Sequence, residues 1–313
     1  MPKHGHIRKG SLQFYPRVRA KKMLPRVSWS FLNNKNLLGF IGYKVGMYSA
    51  FVKDNTPNSM TKGQRIIIPI TIIECPKLKI FSIRFYKNKK PIGEVLNNNL
   101  DKELKRKVKF PKEVKKKLED YKDADDVRLL VYSQVKKTNI KKTPDLTEVG
   151  LGGNLNEKLE FIKNNLNKEI SIKDVFPLGL VDIRGVTKGK GTQGPTKRFG
   201  LSLKSHKSEK GVRGPGSGGP WHPSKVSFRE PKSGQMGFFS RINYNNKIVL
   251  IGDINEKDIN PKEGFKNYGK IKTDYLILFG SILGPCKRQL LITSSLRETK
   301  KQSKKNYEFI ELR

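Results

Sequence analysis

The chain has 313 residues, with 65 Lys and Arg against 28 Asp and Glu, a formal charge of +37 at neutral pH. A folded chain with that excess repels itself unless a polyanion compensates. Nucleic acid suits that role better than a membrane surface, because no basic amphipathic helix with an aromatic face stands out. Apolar residues make up 35 % of the chain, enough for a modest core if the basic stretches stay outside it. No apolar run reaches membrane-spanning length; the longest, Ile66 to Cys75, is short and interrupted by Pro69. Cys75 and Cys286 lie far apart with no CxxC or nearby His spacing, so the expectation is two buried, reduced thiols and no zinc site.

Residues 1–36 hold nine Lys and Arg and no acid. The string KGSLQFYPRVRAKKMLPRVSW mixes these with Phe14, Tyr15 and Trp29 and has neither helical nor strand periodicity, so it reads as an extended basic arm. Its candidate RNA contacts are Arg8, Lys9, Phe14, Tyr15, Arg17, Arg19, Lys21, Lys22 and Arg26. His4 and His6 lack a third ligand in view, which favours contact with solvent or phosphate over metal.

The character changes at Leu37. LLGFIGYKVGMYSAFV is apolar and Gly-rich and predicts a β-hairpin turning near Gly42 to Gly46. RIIIPITIIEC and LKIFSIRFYK are β-branched strands, with Pro69 implying an edge position or a bulge in the first. From Leu100 to Pro177 there are 19 Lys and Arg and 14 Asp and Glu, half of all the acids in the chain. Here LKRKVKFPKEVKKKLEDY looks helical with a break at Pro111, DVRLLVYSQV is a strand, and LNEKLEFIKNNL is an amphipathic helix with Leu155, Leu159 and Ile162 on one face. This segment reads as an α+β insertion whose mixed charge suits solvent or protein more than phosphate. LGLVDIRGV, NKIVLIGD, DYLILFGSI, RQLLITSSL and the final YEFIEL read as strands of one β-rich domain interrupted twice.

Between them, Gly185 to Arg241 carries 12 Lys and Arg, 2 acids, 12 Gly and 5 Pro, with Trp221, His222 and Pro223 near its middle. A loop of this length without its own core is functional or disordered. Its charge and aromatics fit insertion into folded nucleic acid, where Lys and Arg neutralise phosphates and an aromatic plane stacks on an unpaired base. The candidate contacts are Lys188, Lys190, Lys197, Arg198, Lys204, His206, Lys207, Arg213, Trp221, His222, Lys225, Arg229 and Arg241. Loop and arm have too few apolar residues to repay the entropy of fixing them, which predicts that both take their shape only on RNA.

Enzyme readings fail on the residues. Gly189, Gly191 and Gly194 form a GxGxxG after a strand, but Pro195 and TKRFG follow with no apolar helical period, which rules out a dinucleotide site. Asp182 has no paired acid, and His206 and His222 form no catalytic constellation. No cofactor or metal is expected. The rivals to an RNA-binding structural protein are an RNA-modifying enzyme that grips substrate with the loop and a DNA-compacting chromatin protein.

The strings FIGYKVGM, VDIRGVTKGKGTQGPTKRFG and GGPWHPSKV resemble the universal L-three family of the large ribosomal subunit, and the arm and insertion resemble its archaeal type. Val18 departs from the family, which often carries a basic residue there. The resemblance implies a mainly β fold with an α+β insertion, built on a closed β-barrel of the translation-protein type. It implies a basic arm over 1–36, barrel segments over 37–99, 178–187 and 242–313, the insertion over 100–177 and the basic loop over 188–241. It further implies a cytoplasmic, non-enzymatic protein that binds large-subunit rRNA and neighbouring ribosomal proteins without forming a homo-oligomer. Such a protein joins the subunit early, with Trp221 near the peptidyl transferase centre.

Overall fold

The computed structural model describes residues 10–32, 36–111, 118–121, 124–219, 221–222 and 224–313. The chain is mainly β and divides into two compact units, one of residues 23–185 with 241–313, the other of residues 1–22 with 186–240.

In chain order the strands are β1 (Gly39–Asp54), β2 (Arg65–Glu74), β3 (Leu78–Lys87), β4 (Lys90–Leu96), β5 (Asp126–Ser133), β6 (Leu146–Gly150) and β7 (Leu180–Val186). After them come β8 (Thr192–Gln193), β9 (Gly234–Gln235), β10 (Ser240–Gly252), β11 (Tyr275–Phe279), β12 (Gln289–Ser294) and β13 (Tyr307–Leu312). The α-helices are α1 (Leu155–Asn165), α2 (Pro195–Phe199) and α3 (Lys300–Ser303).

The principal sheet of the larger unit has the order β12-β7-β10-β11-β2-β1-β13, and β12 also pairs with β1. That additional pairing, Gly39↔Thr293 through Tyr43↔Gln289, links six of the strands in a cycle. A second sheet, β4-β3-β5-β6, is built from the hairpin β3-β4 and the insertion strands β5 and β6. One buried cluster joins the two sheets, bringing Phe40, Ile41 and Ile292 together with Ile83, Phe85 and Leu129. Another holds the alternate β2 positions Ile68, Ile70 and Ile72 with Val249, Tyr275 and Ile277, as a period of two requires.

The expected hairpin at Gly42 to Gly46 is instead one strand of 16 residues. Those glycines are strand positions without room for a side chain. A Cβ on Gly42 would lie 2.6 Å from Ile73, and one on Gly46 would lie 2.8 Å from Tyr48. Along one edge β1 pairs first with β12 and then with β13, while β2 lines the other. Pro69 sits in an interior strand, not at an edge. Its carbonyl accepts from Gly280, one residue past the end of β11, so its missing N–H falls where that partner strand has run out.

The segment expected to be helical before β5 contains 3₁₀ turns at Lys102–Arg106 and Leu118–Tyr121; residues 112–117 lie outside the described ones. The amphipathic helix is present as α1, started by a capping box between Asn154 and Glu157, with Ile162 buried. Cys75 is buried, but Cys286 is only half-buried, and both are free thiols. Trp29, grouped with the arm by its neighbours, is a core residue of the larger unit at 6 % exposure. Its ring lies against Gly39 and Gly150, where a Cβ would collide with it.

The turn after β1 is tied by one carboxylate. Asp54 accepts the Thr56 N–H at 2.9 Å and the hydroxyls of Ser59 and Thr61 at 2.7 and 2.6 Å. Burial alone would raise its pKa, but these hydrogen bonds outweigh that and hold the carboxyl well below the usual range. Its stabilisation is therefore complete above the unfolded carboxyl value, about 4, and is lost as pH falls further. Asp54→Asn is expected to cost about 1–3 kcal/mol at neutral pH and to flatten this acid limb of stability, measured by denaturant unfolding across a pH series.

Candidate nucleic-acid interface

β7 and β10 are neighbours in the principal sheet, and the chain between them, together with residues 10–22, makes up the described part of the smaller unit. The base of the long loop is a narrow antiparallel stalk. β8 pairs with β9, and the ladder continues through Lys190 N–H to Met236 O, Met236 N–H to Gly191 O and Thr187 N–H to Phe239 O. Gly237 makes the stalk fit. It has φ +69°, and a Cβ there would stand 2.1 Å from the carbonyl oxygen of Lys188. Phe238 follows, also left-handed at φ 56°.

A single helical turn, α2, caps the stalk. Sequence reading found no helix after Gly194, for want of an apolar period. The local signals were nonetheless present, with Pro195 at the first helical position and Gly200 left-handed at the end. Arg198 on this turn donates from Nε to Gln235 O and from Nη1 to Lys232 O, both at 3.0 Å.

The arm packs on the stalk. The Ala20 N–H donates to Phe238 O at 2.9 Å, and Arg19 lies over the Phe238 ring at 5.0 Å. Arg17 is held between two rings, 4.6 Å from Tyr15 and 4.5 Å from Phe199. Its Nη1 donates to the Tyr15 hydroxyl and its Nη2 to Ser11 O. Tyr15 in turn meets Phe228 edge-on at 5.5 Å. The expectation that arm and loop take shape only on RNA therefore needs correcting at the stalk, where hydrogen bonds and cation–π contacts supply what apolar burial does not.

Of the candidate contacts, the structure brings Arg17, Lys188, Lys190 and Arg198 to one cleft of about 370 Å³, beside Met236 and Phe239. Among its described lining residues none is acidic. Burial, and then the nearby charge of Arg17, lower the pKa of Arg198. Both guanidinium groups lie over the same Phe199 ring, Arg198 at 5.2 Å. Phe199 and Gln235 were not singled out in the sequence; the available signals were the strings TKRFG for the first and GQMGFFSR, dense in Gly and aromatics, for the second.

The remaining candidates are spread rather than clustered. Lys197, Lys204, His206, Lys207, Arg213, His222, Lys225 and Arg229 are exposed along the loop, as are Phe14, Lys21 and Lys22 in the arm. Arg229 lies over Phe228 at 5.6 Å. Trp221 is 85 % exposed, so it does not fold back onto Phe228 or Phe239. Its carbonyl accepts the Ser224 N–H at 2.7 Å; Pro223, part of the same tip string, lies outside the described residues. Arg8 and Lys9 likewise lie outside them, and Arg26 and Arg241 belong to the larger unit. Asp182 is buried and structural, accepting the backbone N–H groups of Asn245 and Leu296.

Among the described residues no group of His, Cys, Asp and Glu could hold a metal ion, and no helix is long and apolar enough to cross a membrane. What the unit offers is an acid-poor surface of fixed and free cations carrying one open indole.

The family model described as Ribosomal protein L3 matches residues 1–313. The chain is 44 % identical over 306 residues to the large ribosomal subunit protein uL3 of Methanocaldococcus jannaschii, covering 93 % of this chain and 91 % of that one. It is 40 % identical to the uL3 proteins of Methanosphaera stadtmanae and Archaeoglobus fulgidus, with at least 94 % of each chain covered. The chain belongs to the ribosomal protein L3 family.

Proposed function

We propose that this protein is a structural, rRNA-binding component of the large ribosomal subunit that joins early in assembly, with its loop tip reaching toward the peptidyl transferase centre. As a member of its family it is a ribosomal protein and not an enzyme. Its partners are large-subunit rRNA and neighbouring ribosomal proteins, and its compartment is the cytoplasm. The observation that carries the RNA reading is the cleft of the smaller unit, where four cationic side chains converge with no acid among the described lining. The cycle of pairings completed by β1 and β12 supports the closed barrel that the family resemblance implies. Within the mixed-charge insertion Arg128 pairs with Asp126 and Glu148, and Lys158 with Asp126, which suits solvent or protein contact.

The position of the tip rests on Trp221, whose 85 % exposure leaves a ring face open for a base. Stacking of that kind is worth about 1–3 kcal/mol, small within a large basic interface. Trp221→Ala is therefore expected to enter large subunits at full stoichiometry and to alter tRNA affinity or peptide-bond formation several-fold. Purified mutant subunits, fully loaded and normal in both assays, would remove the tip from the proposal.

A further inference from the structure

The loop stalk holds a problem of charge. Arg17 and Arg198 are fixed over one phenyl ring, with Lys188 and Lys190 lining the same cleft. Neither guanidinium is free to swing away. The described hydrogen bonds of Arg17 use Nη1 and Nη2, and those of Arg198 use Nε and Nη1. Each therefore keeps one nitrogen, Nε of Arg17 and Nη2 of Arg198, outside these bonds. Holding like charges together without an acid costs free energy that a bound anion would recover. The cleft is more than an anion site, however. At about 370 Å³ it falls in the range of small-molecule pockets, and Met236 and Phe239 give it an apolar side that a bare phosphate would not use.

We propose that this cleft takes a single unpaired RNA nucleotide, its phosphate bridging Arg17 and Arg198 and its base lying against Met236 and Phe239. A base within a duplex cannot enter such a cleft, so the site selects a bulged or looped-out residue. Arg17 comes from the arm and Arg198 from the loop, so one nucleotide ties the two segments together. The inference rests on the rRNA-binding reading above and adds to it a place, a stoichiometry and a requirement for a base.

The test is a titration of the full chain with uridine 5′-monophosphate, uridine and inorganic phosphate, following the backbone amide resonances of Gln235 and Phe239. The expected result is saturation by the nucleotide at a concentration at least tenfold below that needed for either fragment. Arg198→Gln should abolish it. Because that change also removes two stalk hydrogen bonds, Lys188→Gln, whose side chain is not needed for the ladder, should weaken it several-fold with the stalk amide shifts retained. Lys262→Gln in the larger unit should leave it unchanged. Inorganic phosphate matching the nucleotide would reduce the cleft to an ion site and overturn the proposal, as would the absence of saturable shifts. The same preparation is tested for co-sedimentation with large subunits. Intact co-sedimentation without nucleotide binding retires the cleft alone, while loss of both retires the rRNA reading.

Discussion

Deleting residues 1–22 is expected to make rRNA binding far less sensitive to salt. The segment carries seven Lys and Arg and no acid. If each meets one phosphate, the slope of log affinity against log salt should become shallower by about 5 to 6. The full chain's affinity should fall on the order of 10³-fold or more between about 50 and 200 mM salt, and the truncated chain's should fall much less over that range. The structure fixes where the deletion must stop. Trp29 and Leu32 are buried in the core of the larger unit, so removing 1–36 would confound lost phosphate contacts with a damaged fold. A slope unchanged by deletion of 1–22 would mean that the arm does not bind phosphate.

Gly237→Ala is expected to open the stalk. Its left-handed φ of +69° costs a non-glycine residue about 1–2 kcal/mol. The larger penalty is steric, since a Cβ would stand 2.1 Å from the Lys188 carbonyl oxygen, and neither partner is a flexible side chain. Relief requires separating the two strands, which gives up the bonds joining Lys190 to Met236 and Thr187 to Phe239. The total is about 3 kcal/mol or more for the smaller unit. Amide exchange in the free protein reads this directly. In the parent chain the N–H groups of Lys190, Met236 and Ala20 should exchange slowly, and in the variant they should exchange as fast as exposed positions. Global unfolding of the larger unit should barely move. Slow exchange retained in Gly237→Ala would show that the stalk tolerates the side chain.

How much of this was legible in the sequence depended on how local its cause was. β2, β3, β5, β11 and β12 stand where β-branched and aromatic runs put them, because burial on a pleated surface selects those residues directly. β1 misled as a hairpin, because Gly42 and Gly46 look like turn residues. Their actual cause, close approach of Ile73 and Tyr48, depends on chain distant in sequence or on packing within the strand. Trp29 was indistinguishable from the arm aromatics until Gly39 and Gly150 were seen to receive its ring. In the loop, composition identified the cations but not their grouping. Arg17 and Arg198 are 181 positions apart, and only the fold places both on Phe199. α2 was legible in its ends, Pro195 and Gly200, and was missed for lack of an apolar face that a single exposed turn does not need.

Residence in the large ribosomal subunit, held by rRNA, is tested most directly by fractionating cell extract on sucrose gradients, quantifying the chain in each fraction before and after a high-salt wash. The expected result is one copy per large subunit, retained through the wash and released when the rRNA is digested. A predominantly free pool, or a chain that stays with protein partners after complete digestion of the rRNA, would contradict it.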